Sequence, residues 1–151
     1  MTANDPHSAA LALVRRHGTR DPFRLARELG CIVIRTPLQG IRGFYQYLHR
    51  QRILYVDSAL PEAEARLVCA HELGHALLHR GCNRIYLDAN TYFPASRQEV
   101  EASRFALSLL YDDDSLRLFL EHPVQLAAEH MGVSTDLARY RLSRIPPAEN
   151  M

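Results

Sequence analysis

Apolar residues recur along this chain with two different spacings, and the switches between them divide it into elements. From Ser8 to His17, with Ala9, Leu11, Leu13 and Val14 among the apolar positions, and from Asp21 to Leu29, opened by Asp21-Pro22, the pattern predicts two helices punctuated by Gly18 and Gly30. The β-branched run Cys31-Ile32-Val33-Ile34-Arg35 predicts a strand, and Gly43 to Leu48 and Arg52 to Asp57 predict two more across a polar turn. Together they make a small antiparallel or mixed sheet. Helical spacing returns from Pro61 to His79, where Pro61 suits a first turn, Glu62 and Glu64 complement its positive end, and His79-Arg80-Gly81 supplies basic residues and a stop. Leu67, Val68, His71, His75 and Leu78 fall on one stripe of that helix, facing the core. A further helix from Ser96 to Tyr111 gathers Ala102, Phe105, Ala106, Leu109 and Leu110 on one face. Gly81 to Pro94, carrying Tyr86, Tyr92 and Phe93, is the loop or short hairpin between these two helices and should border a cleft. Strands grouped between helices predict an α+β class.

The candidate chemistry lies in the middle helix. His71-Glu72-Leu73-Gly74-His75 is an HExxH pattern, and two histidines four residues apart stand one above the other, so both imidazoles can reach one Zn²⁺. Glu72 projects beside that point, where a carboxylate can take a proton from a water whose pKa the metal has lowered to about 7. Gly74, which costs about 1 kcal/mol in a helix interior, is explained if something approaches the backbone there.

A tetrahedral zinc site needs a third protein ligand. His79 lies a further turn along, and three consecutive turns of a straight helix cannot converge on one ion at about 2 Å. The position where a metzincin carries its last histidine is Gly81, so that subclass is excluded. Cys82 is a weaker candidate, because free cysteine is more often packing. The next helix offers Glu99, about 50° from the centre of its apolar face, and Glu101, about 110° from it. That geometry favours Glu99 and leaves Glu101 as the alternative.

Composition narrows the classes. A chain of 151 residues with 47% hydrophobic content supports one packed domain, expected over residues 7–145 with flexible ends at 1–6 and 146–151. A formal charge of +1 makes no bulk electrostatic case for nucleic acid or membrane, and no segment approaches membrane-spanning length. Cys31, Cys69 and Cys82 form no disulfide-scaffold pattern and no signal peptide precedes them, which points to a reducing cytoplasm.

With those residues in view, the chain resembles the ImmA/IrrE family of small zinc metallo-endopeptidases. The likeness is strongest in Val68-Cys69-Ala70-His71-Glu72-Leu73-Gly74-His75-Ala76-Leu77-Leu78-His79 and in Glu99-Val100-Glu101-Ala102-Ser103-Arg104-Phe105-Ala106-Leu107-Ser108-Leu109-Leu110, and weaker from Asp21-Pro22-Phe23 through Arg42-Gly43-Phe44-Tyr45 to Arg141-Leu142. The resemblance implies a gluzincin-like domain, its sheet packed on the HExxH helix and on a second ligand-bearing helix, with further helices at both ends. It selects Glu99, the glutamate three residues before an alanine, as the third zinc ligand. It also implies an activity: proteolysis of a helix-turn-helix repressor, relieving repression of a mobile element or a stress response. Two departures stand out: Ser103, where relatives usually carry Asn or Asp, and Tyr111-Asp112-Asp113-Asp114, where many have an apolar-proline ending.

Three further features carry alternatives. Tyr45 to Leu48 or Arg52 to Val56 could be an edge strand that pairs with an extended substrate. His79 or Tyr92 could stabilise an oxyanion. Val124 to Ser134 followed by Asp136 to Leu142 has the Ala-to-Gly spacing of a helix-turn-helix, with Arg139, Arg141 and Arg144 as possible phosphate contacts. That segment sustains a competing reading, a DNA-binding or metal-binding regulator that acts without proteolysis.

Overall fold

A computed structural model describes residues 5–79 and 96–147. They fall into two compact units, one ending at Leu110 and one beginning at Tyr111.

In the first unit, α1 (Pro6–His17) and α2 (Pro22–Glu28) both start at proline, the residue whose missing N–H costs nothing in a first turn. Asp5 and Asp21 cap them, their carboxylates accepting from the backbone N–H of Ser8 and Phe23. Asp5 therefore starts α1 earlier than apolar periodicity alone suggests. Three strands follow, β1 (Ile32–Thr36), β2 (Gly43–Leu48) and β3 (Gln51–Asp57), in the order β1-β3-β2. β1 runs parallel to β3 and β2 antiparallel to it, so the sheet is mixed. Central placement of β3 removes Arg52–Val56 from consideration as an edge. Tyr45–Leu48 lies on β2, which among the described residues pairs on one side only.

Alternation along β2 and β3 buries Gly43, Tyr45, Leu54 and Val56, and these positions pair across the strands as Gly43 with Val56 and Tyr45 with Leu54. Their shared core also holds Ala65, Val68, Cys69 and Leu73 of α3 (Glu62–Leu78) and Phe105, Ala106 and Leu109 of α4 (Arg97–Leu110). Contact with both the sheet and α4 buries α3 well beyond the single stripe that its spacing marks. At Gly74 α3 and α4 pack closely: a Cβ there would stand 3.0 Å from Phe105 Cδ1 and 3.2 Å from the Cα and carbonyl oxygen of Ala102. The approaching group that this glycine called for is the backbone of α4.

The second unit opens with α5 (Asp113–Leu116), capped by Asp112, whose carboxylate accepts from the Ser115 N–H, and continues through a 3₁₀ turn over Arg117–Glu121. α6 (Val124–Met131) ends on Gly132, and α7 (Thr135–Ser143) begins after Ser134, whose hydroxyl accepts from the Leu137 N–H. No described helix is long and apolar enough to cross a membrane.

Candidate metal centre

Successive turns of α3 bring His71 Nε2 and His75 Nε2 to 3.2 Å of each other. Close packing at Gly74 carries the first turn of α4 onto the same spot. Glu99 Oε1 lies 3.0 Å from His71 Nε2 and Glu99 Oε2 lies 3.4 Å from His75 Nε2. One nitrogen or oxygen from each of the three residues falls within 4.8 Å of the others.

The donor set suits a divalent cation in kind and in charge. Burial lowers the His75 imidazole to about 4, more than Glu99 can raise it, so at neutral pH it keeps the lone pair a metal bond requires. Partial burial acts to raise the Glu99 carboxyl, but the close imidazoles of His71 and His75 outweigh it and hold the group at about 2. Two imidazole nitrogens and a carboxylate oxygen, with one negative charge among them, fit a borderline late first-row divalent ion better than a hard one that prefers all-oxygen ligands.

The two glutamates of α4 have separate destinations. Glu99 joins the histidines, whereas Glu101 Oε1 lies 2.9 Å from His79 Nε2. His79 in turn places Nδ1 2.9 Å from His75 Nδ1. Both ring nitrogens of His79 are thus engaged within the protein, which removes it as an oxyanion donor. Tyr92, the other residue considered for that role, and Cys82 lie outside the described residues, as does the whole Gly81–Pro94 connection. Ser103, at the position where the resemblance anticipates Asn or Asp, sets its hydroxyl 3.1 Å from His71 Nδ1. Sequence reasoning noted His79 and Glu101 singly and missed the pair. The available signal was the further four-residue step from His75 to His79, which stacks a third imidazole on the same face.

Glu72 is 2% exposed, on the turn of α3 that faces the start of β2. A Cβ on Gly43 would stand 2.5 Å from Val68 Cγ1, 2.7 Å from the Tyr55 carbonyl oxygen and 3.6 Å from Glu72 Cγ. Only a bare glycine lets the first residue of β2 rest there. β2 therefore begins beside the carboxylate expected to move the proton. Cys31 and Cys69 are free and buried, and burial pushes both thiols upward, so they behave as core packing.

In the second unit, α6 and α7 reproduce the two-helix spacing expected from the sequence, but one proposed phosphate contact is already committed. Arg141 is fully buried, and its Nη2 donates to the Tyr111 carbonyl at 2.9 Å and to Asp113 Oδ1 at 2.7 Å. Arg139 donates to Asp136 Oδ1 at 3.2 Å. The acidic run after Leu110 thus supplies the Arg141 acceptor and the α5 cap.

Comparison with known proteins gives this geometry its class, that of metallopeptidases. The profile of the peptidase M78 family, described as the IrrE N-terminal-like domain, matches residues 26–143, and the chain belongs to that family. It is 38% identical over 107 residues to "Uncharacterized immunity region protein 2" of Bacillus phage phi105, covering 70% of this chain and 68% of that protein. It is 25% identical over 146 residues to "Metallopeptidase ImmA" of Bacillus subtilis (strain 168), covering 92% of this chain and 85% of that one. Metallopeptidase membership implies a divalent metal and a protein substrate.

Proposed function

We propose that the chain is a zinc-dependent endopeptidase in which His71, His75 and Glu99 hold the metal and Glu72 is the general base. The observation that carries this reading is the convergence of the three donors within 4.8 Å of one another. A zinc ion held by this set would supply Lewis acidity, polarising a peptide carbonyl and lowering the pKa of a water. Glu72 takes the proton of the attacking water and returns it to the leaving amine, so that neither hydroxide nor an amide anion has to form free. Its burial beside Val68 and the start of β2 keeps the carboxylate in place between those two transfers.

For substrate we propose a helix-turn-helix repressor cut in the cytoplasm. The ImmA/IrrE resemblance supports it, as do the names of the two relatives, one an immunity-region protein of a phage and the other a metallopeptidase. Two buried free thiols accord with a reducing compartment. The test is incubation of the purified chain with the helix-turn-helix repressor encoded nearest its gene, with and without chelator, followed by mass mapping. Discrete fragments that vanish with chelator and with Glu72→Gln are expected. Chelator-independent cutting would reject the zinc mechanism, and an uncut repressor would reject the substrate.

A further inference from the structure

We propose that His79 and Glu101 form a relay that holds His75 in the single tautomer able to present Nε2 to a metal ion, an inference that rests on His71, His75 and Glu99 being the metal-holding set. The chain of contacts is continuous. Arg97 Nε lies 3.4 Å from Glu101 Oε2, Glu101 Oε1 lies 2.9 Å from His79 Nε2, and His79 Nδ1 lies 2.9 Å from His75 Nδ1.

Its polarity is set at the carboxylate end. A carboxylate only accepts, so His79 donates through Nε2–H. A neutral imidazole protonated at Nε2 has its lone pair at Nδ1, and that lone pair can only receive the Nδ1–H of His75. His75 is left with its own lone pair on Nε2, the nitrogen that sits 3.2 Å from His71 Nε2 and 3.4 Å from Glu99 Oε2. Reversed polarity would put a proton on that nitrogen and forbid a metal bond. Metal-binding histidines commonly donate their second N–H to an oxygen, which fixes tautomer and ring angle. His71, at 20% side-chain exposure, has the Ser103 hydroxyl for this. His75 is fully buried, and the oxygen that serves it stands one imidazole away. His79 and Glu101 are accordingly positioning residues.

The experiment uses the full chain loaded with zinc, with affinity read by competition with a chromophoric chelator and histidine tautomers read from ring-nitrogen NMR. In the unsubstituted protein His79 should carry its ring proton on Nε2 rather than Nδ1. Glu101→Ala should weaken zinc by about 10–100-fold and leave His79 a mixture of tautomers. Glu101→Gln, whose amide oxygen still accepts, should keep the tautomer and recover most of the affinity, a rescue that a merely structural role would not produce. His79→Phe, which fills the volume without the nitrogens, should lose affinity as Glu101→Ala does. A proton on His79 Nδ1, or unchanged affinity and tautomer in Glu101→Ala, overturns the relay. If Glu99→Ala abolishes zinc binding while Glu101→Ala does nothing, the metal site stands and the relay alone falls. If the unsubstituted chain binds no zinc, both fall.

Discussion

The two compact units bury polar side chains to opposite ends. In the unit ending at Leu110, Glu72, His75 and His79 are all less than a tenth exposed and belong to or border the His-His-Glu cluster, while the other buried polar pair, His7 and Ser108, is joined by its own hydrogen bond. In the unit beginning at Tyr111, the most deeply buried charge is Arg141, which ties α7 to the chain around α5. Burial of an ionisable group carries a desolvation cost in either place. What differs is the return: in the first unit a poised set of donors, in the second a fixed backbone. An arginine within a helix-turn-helix spacing is therefore no sign of phosphate contact until its burial is known.

The largest separation between the two units should come from Glu72→Gln. Peptide cleavage should fall by at least about 10²–10⁴-fold, while unfolding free energy stays level or rises slightly, because an amide is easier to bury than a carboxylate. Zinc content should be unchanged, and a variant that cleaves normally would end the assignment of the base. Arg141→Ala should do the reverse. We expect about 2–3 kcal/mol of destabilisation by urea titration, below the roughly 3–5 typical of a fully buried pair, because the Asp113 side chain keeps 30% of its exposure. A smaller effect on both axes is expected from Gly74→Val, which sets a branched side chain against Phe105 and the Ala102 backbone. Overpacking should cost about 1–3 kcal/mol and weaken zinc binding by shifting α4, and with it Glu99, away from the histidines. Zinc affinity that survives this change would show that the close approach does not set the cluster. Smallest of all, Arg139→Ala should stay within about 0.5 kcal/mol, since its side chain is 64% exposed. A loss comparable to that of Arg141→Ala would erase the distinction between the two arginines.

Much of the first unit is legible from local pattern. The three strands, α3 and α4 fall within a residue or two of where periodicity and caps place them, since those signals act over a few neighbouring residues. Glu99 is reachable by helix-face geometry because its direction depends only on its own helix. Pairing order is different: nothing within β1 specifies that it will lie parallel to β3, as register across a sheet is a long-range choice. The His79–Glu101 contact and the burial of Arg141 are likewise products of how separate elements meet. α5 was within reach, for Asp112 followed by acidic residues is a helix-start signal, but only four residues of helix follow it and give periodicity nothing to register.

Gly43 bears on how this chain can vary. It has no side chain to contribute to chemistry and its backbone needs no left-handed turn, yet every other amino acid would bring a carbon within 2.5 Å of Val68 Cγ1 and 2.7 Å of the Tyr55 carbonyl oxygen. In a saturation scan this position should look as intolerant as Glu72, and for a reason that fitness counts alone would misattribute to catalysis. A smaller residue at 68 should not by itself rescue Gly43→Ala, because the Tyr55 carbonyl oxygen would still stand 2.7 Å from the new carbon. The intolerance would record in genetic form the distance between a sheet and a helix.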